Sequence, residues 1–259
     1  MKQNKSSRST VLLFFLGAAM IVAALIMLVP DLLNYKQSND TYEALKENYI
    51  SEKAENTEVA EETEGDDSWW YTDMDVKLEE LQQVNADIIG WIRFDNLEQL
   101  SYPVLYSGDD EKYLRTDIYG NQTIAGCIFM EGMNTPDFQD YHTILYGHNM
   151  KNGSMFGQLK QFKQPETIQK SKYIWILTPD EVCKYEIFSC YTAEVGSDTY
   201  TLIKGPGKGL VEYAEKMQAK DTLWLTRREF DVKDKVITLS TCTGNEATRY
   251  VVQAVKVEP

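Results

Sequence analysis

The hydrophobic pattern divides the chain into a bare apolar run, a polar stretch and a long region of short alternating segments. Residues 11–29 carry no charged side chain, and nineteen residues at 1.5 Å each span about 28 Å, close to the ~30 Å hydrocarbon core of a bilayer. The run predicts a transmembrane helix. The apolar part of a cleaved signal peptide is shorter and ends in an A-x-A-like site, which is missing here. Lys2, Lys5 and Arg8 precede the run and Asp31 follows it, an asymmetry that predicts residues 1–10 in the cytoplasm and everything beyond the anchor (11–30) outside.

Residues 31–68 are polar and acidic. Tyr42, Leu45 and Tyr49 stand at helical spacing and predict a helix in the first part. Residues 52–67 are too poor in apolar side chains to offset their ordering entropy, so the segment is expected to serve as a flexible tether. Val76, Leu78, Leu81 and Val84 then predict an amphipathic helix over 75–86.

Beyond it, β-branched and aromatic runs alternate with Gly, Pro, Asn and Asp, the pattern of a many-stranded barrel or sandwich. Eight strands are predicted, at 91–94, 102–106, 123–130, 143–146, 173–177, 182–194, 235–241 and 249–257. Between the sixth and seventh lies an insertion, 195–222, where Leu210, Tyr213, Ala214 and Met217 predict a helix after Gly205-Pro206-Gly207. The expected fold is mainly β with short helices, in one domain over 69–259.

Composition narrows the function. A formal net charge of -14 with no basic patch argues against a nucleic-acid surface. Four cysteines, Cys127, Cys183, Cys190 and Cys242, invite a disulfide reading in an exported domain. On one extended strand, however, Cys183 and Cys190 would lie about 23 Å apart on opposite faces, whereas a disulfide needs a Cα separation of about 4.4–6.8 Å. Buried thiols are expected instead. No Cys/His spacing resembles a zinc site and no acidic loop resembles a calcium site, so neither metal nor cofactor is expected.

The chemistry concentrates in the last two strands. If they form a hairpin across Thr243-Gly244-Asn245-Glu246-Ala247-Thr248, Cys242 and Arg249 face each other with Cα atoms roughly 5 Å apart. A free thiol is only about 3% ionised at pH 7, so a nucleophilic cysteine needs a nearby cation or base. Arg249 supplies the charge and cannot act as base. Of the two histidines, His142 begins a predicted strand, while His148 follows Gly147 just beyond its end, where loops on a rigid scaffold build sites. His148 is the better candidate.

Leu239-Ser240-Thr241-Cys242 with Arg249 seven residues on, and Tyr146-Gly147-His148-Asn149 upstream, resemble the sortase signature. Ala86-Asp87-Ile88-Ile89-Gly90-Trp91-Ile92, Tyr102-Pro103-Val104, Tyr113-Leu114 and Ser154-Met155-Phe156 resemble class B sortases in particular, as do the helix ahead of the barrel and the helix-bearing insertion. The resemblance implies an eight-stranded sortase-type barrel in which Cys242 attacks the Thr carbonyl of a C-terminal sorting signal. A cell-wall-precursor amine then resolves the thioacyl enzyme. His148 would transfer protons, Arg249 would bind the carbonyl and oxyanion, and Thr241 and Thr243 would support them. The implied partners are a sorting-signal-bearing surface protein or a pilin, the peptidoglycan precursor and the membrane. Polymerisation of pilins, and hydrolysis by a cysteine peptidase, remain alternatives. Where several class B relatives carry an acidic residue very soon after the cysteine, this chain has Thr243, Gly244 and Asn245 before Glu246, so no carboxylate is assigned to orient His148.

Overall fold

The computed structural model describes residues 5–52, 74–97, 99–223 and 225–257. A single helix, α1 (Lys5–Tyr49), opens the chain, with Pro30 inside it. Its apolar part is long and apolar enough to cross a membrane, and the large side chains there are exposed. Further along, one face of the same helix packs on the folded domain. Tyr42 and Leu45 are buried, the Tyr42 hydroxyl donates to the Gly126 carbonyl over 2.8 Å, and its ring meets Tyr102 edge-on at 5.3 Å.

Strand β1 (Ile50–Glu52) follows directly and pairs antiparallel with β2 (Met74–Val76), so that Glu52 and Met74 stand side by side. Between the apolar run and β1 the described chain is the continuous helix α1; of the tether predicted over 52–67, all but Glu52 lies outside the described residues. The helix predicted over 75–86 is shorter, α2 (Leu78–Val84), because Val76 pairs with Ile50, a partner that local periodicity does not reveal.

The domain is a closed barrel of eight strands: β3 (Ile88–Phe94), β4 (Ser101–Leu105), β5 (Ile128–Met130), β6 (His142–Tyr146), β7 (Tyr173–Leu177), β8 (Val182–Glu194), β9 (Val236–Cys242) and β10 (Thr248–Val257). Their order is β10-β8-β7-β3-β4-β5-β6-β9, closed by the β9–β10 hairpin. Pairs β4/β5 and β6/β9 run parallel and the rest antiparallel. The strand expected over 123–130 shrinks to its last three residues. Gly126 sits at φ +56°, where a Cβ would lie 2.5 Å from the Tyr113 carbonyl oxygen and 2.7 Å from that of Leu114, and this turn breaks the extended run.

Strands β9 and β10 are buried along most of their length because both faces are covered. Ile237, Leu239, Tyr250, Val252 and Ala254 join the main core, whereas Val236, Val251 and Val255 pack outward with Phe188 and Tyr191. The outer cover is helix α4 (Lys208–Gln218) in the insertion, which buries the expected Leu210, Tyr213, Ala214 and Met217. Between β6 and β7 lie a 3-10 helix (Phe156–Lys163) and helix α3 (Pro165–Lys170), which the periodicity analysis does not anticipate.

Because β6 and β9 are parallel, with Tyr146 opposite Ser240, both strands end on the same rim. The hairpin brings the start of β10 to that rim as well.

Candidate active site

Cys242 is the last residue of β9 and the cross-strand partner of Arg249. Paired residues share a face, so thiol and guanidinium project from the same side of the sheet. All four cysteines are free, and only Cys242 is not buried. Burial pushes the Cys127 thiol up to about 12 and Cys183 up to about 11, and it raises Cys190 as well. Those three are neutral thiols at physiological pH.

His148 reaches the rim through Gly147. A Cβ at Gly147 would lie 2.4 Å from Ile128 and 2.8 Å from the Phe156 ring, so only glycine lets the chain pass here. The Gly147 N–H bonds the Ser240 carbonyl over 3.2 Å, and the His148 Nε2 lies 2.7 Å from the Leu114 carbonyl. Burial holds the imidazole below its ordinary pKa, an effect that the Leu114 carbonyl opposes. Asn149 donates from Nδ2 to the Cys242 carbonyl over 2.7 Å. The Arg249 Nη1 donates to the carbonyls of Glu246 and Thr248, each at 2.9 Å.

His148, Cys242 and Arg249 line one cleft of about 210 Å³, with Asp110, Tyr146 and Ser240 among its walls. A neighbouring cavity of about 300 Å³ shares Tyr146, Ser240 and Arg249 and continues beneath Val195 and Tyr200 at the start of the insertion. Larger cavities beside Leu78 and Lys163 contain none of the three candidates. Beside the cleft the Glu131 carboxyl is raised, first by burial and then by Asp110, and accepts the Tyr146 hydroxyl at 2.6 Å.

The two threonines behave differently from the trio. Thr241 sits on the opposite strand face from Cys242, paired with Tyr250, and its buried hydroxyl has no partner. The Thr243 hydroxyl lies 2.6 Å from that of Thr248, inside the turn. His142 is wholly buried: Nδ1 lies 2.8 Å from the Thr201 carbonyl and Nε2 lies 2.7 Å from the Thr238 hydroxyl. Its pKa falls to about 4, chiefly through burial. It fastens the insertion to the barrel, away from the cleft.

Sequence reasoning assigned no role to Asn149, nor to Tyr200, whose hydroxyl lies 3.0 Å from that of Ser240. Asn149 stands in the quoted Tyr146-Gly147-His148-Asn149 segment, but nothing local reveals its partner 93 residues away. Among the described residues no three His, Cys, Asp or Glu side chains gather as metal ligands would.

Residues 92–257 match the family model of the sortase domain. Sortase B of Listeria monocytogenes is 34% identical over 185 residues, covering 68% of this chain and 72% of the relative. Sortase B of Staphylococcus aureus is 27% identical over 183 residues, covering 70% and 74%. The crystal structure of sortase B from Bacillus anthracis superposes with a TM-score of 0.69 at 30% identity, covering 88% of this chain and all of the other.

Proposed function

This chain belongs to the sortase family, class B, and is a cysteine transpeptidase, from which we propose that Cys242, His148 and Arg249 are its catalytic residues and a C-terminal sorting signal its acyl donor. The observation that carries the proposal is the half-exposed Cys242 opposite Arg249 at the one rim where β6 delivers His148.

In the proposed reaction Cys242 passes its thiol proton to Nδ1 of the neutral His148, and the resulting thiolate attacks the Thr carbonyl of the sorting signal. The C–N bond breaks, the leaving amine takes a proton from His148, and a thioester remains on the sulfur. An amine of a cell-wall precursor then attacks the thioester, gives its proton to His148 and leaves as the new amide, with the thiolate restored. Since the Leu114 carbonyl occupies Nε2, Nδ1 is the nitrogen available for transfer. The remaining donors of Arg249 stabilise the carbonyl oxygen as it gains charge. Thr241 contributes through its main chain, and Thr243 by pinning the turn.

We also infer that residues 11–29 anchor the enzyme with its barrel outside the cell. The positive charges ahead of the run and its length support this. From Val29 to Tyr42 is thirteen helical residues, so α1 holds the barrel about 20 Å from the membrane surface.

Mass spectrometry of wild-type protein and Cys242→Ala, each incubated with candidate sorting peptides, tests the first proposal. The expected result is an acyl adduct on Cys242 alone, passed to an added amine in preference to water. Hydrolysis unchanged by amine would make the enzyme a peptidase. Protease added to wall-stripped cells tests the second, since complete protection of the barrel would refute an outside location.

A further inference from the structure

We propose that Asn149 is a positioning residue for the Cys242–His148 pair, its side-chain amide taking over a rung of the barrel that the backbone has given up. The inference rests on the reading of Cys242 as nucleophile and His148 as proton carrier.

Strands β6 and β9 pair in parallel up to Tyr146 and Ser240, and the last main-chain bond joins the Gly147 N–H to the Ser240 carbonyl. A parallel ladder repeats every second residue. The next rung would join the Asn149 N–H to the Cys242 carbonyl. Asn149 has instead turned its backbone to an isolated bridge with Met155, and its Nδ2 takes the Cys242 carbonyl at 2.7 Å.

His148 therefore stands between two attachments to the strand that carries the nucleophile. Gly147 is tied to Ser240 on one side, Asn149 to Cys242 on the other, and the ring is held at Nε2 by Leu114. Past Cys242 the chain enters a turn with Gly244 at φ +94°. On the β6 side of Cys242 the Asn149 amide holds its carbonyl, so His148 and Cys242 cannot separate without breaking that bond. Because Cys242 and Asn149 are both half-exposed, water can replace the lost bond, and the fold should survive where the geometry does not.

The test uses the full chain in detergent and compares wild type with Asn149→Ala, Asn149→Leu, which keeps bulk without a donor, and His148→Ala. With a sorting peptide that acylates wild type, both Asn149 variants should lose about 10- to 100-fold in kcat, the scale of a misplacement near 1 Å, with KM and melting temperature little changed. A kcat within threefold of wild type, or a loss confined to KM, would overturn the proposal. The second arm needs no peptide: the pH profile of Cys242 alkylation by iodoacetamide should move in both Asn149 variants toward that of His148→Ala. Retention of the wild-type curve would overturn it. If no peptide acylates wild type, the proposed function falls while the alkylation arm still decides the role of Asn149.

Discussion

The imidazole of His148 meets the main-chain carbonyl of Leu114 at 2.7 Å through Nε2. A carbonyl only accepts, so Nε2 carries the hydrogen and Nδ1 is left for the cleft. Here a backbone oxygen takes the orienting part that a carboxylate plays in many nucleophile–histidine pairs. Glu246 is exposed in the turn and contributes only its carbonyl, to Arg249. The Leu114 oxygen is itself backed by Gly126, where a Cβ would come within 2.7 Å of it. Tyr42 of α1 donates to the carbonyl of that same glycine. Helix α1 is thus linked to the histidine through Gly126 and Leu114.

The first prediction concerns the protonation of His148. Burial disfavours the imidazolium, so its pKa lies below 6.5 and the ring is neutral at pH 7 as the Nε2–H tautomer. Nitrogen NMR of labelled protein reads both properties. A proton on Nδ1 at neutral pH would remove Leu114 as the orienting group, and a midpoint at or above 6.5 would mean that burial does not dominate the ring's titration.

Thiol chemistry gives a second prediction. Cys127, Cys183 and Cys190 are buried with raised pKa values, whereas Cys242 opens on the cleft. Iodoacetamide at pH 8 should therefore add one group per native chain, located at Cys242 by peptide mapping, and four after denaturation. Native labelling at a second cysteine would mean that the barrel opens more readily than its packing suggests.

Much of this architecture was legible because it is local. Eight strands follow from β-branched runs between turn residues, and α4 from four apolar residues on one face. Cys242 and Arg249 meet because a short turn joins their strands, which is also a local fact. What was hidden is long-range. The pairing of Val76 with Ile50 consumes part of an apparent helix, and α1 docks on the barrel because Tyr42 finds Gly126, 84 residues away. Thr241 and Thr243 flank Cys242 along the chain, but nearness in sequence is not nearness of side chains. Strand alternation sends the Thr241 side chain to the other face, and Thr248 occupies the Thr243 hydroxyl. Asn149 is the opposite case, distant from Cys242 in sequence and brought to it only by the parallel pairing of β6 and β9.

His142 makes a third prediction, about acid stability. Its folded pKa of about 4 lies below the 6.5 of an unfolded histidine, so below pH 6.5 the unfolded chain binds a proton that the folded one refuses. Stability is thus complete above pH 6.5 and lost as pH falls toward 4. The difference between pH 7 and pH 5 is about 2 kcal/mol, at 1.36 kcal/mol per pH unit. Urea melts should show this excess loss in wild type relative to His142→Gln. Equal pH dependence in the two would mean that His142 is protonated inside the fold.

The last prediction separates two tasks that Arg249 could perform with different nitrogens. Both hydrogens of Nη1 are engaged by the Glu246 and Thr248 carbonyls, which ties the guanidinium to the turn. Nε and Nη2 retain three hydrogens, in a plane suited to a carbonyl oxygen that is becoming an oxyanion. Arg249→Lys keeps the charge and can still bond a turn carbonyl, but it loses the planar fork. If the fork acts on substrate, single-turnover acylation should fall by about 10²- to 10³-fold, the usual scale for losing an oxyanion donor. Alkylation of Cys242 by neutral iodoacetamide, which forms no oxyanion, should stay within about threefold of wild type because the neighbouring charge persists. Arg249→Gln, which removes the charge as well, should slow both reactions. An Arg249→Lys enzyme that acylates at the wild-type rate would show that the residue serves only as a tie for the turn, and the oxyanion would then need another donor.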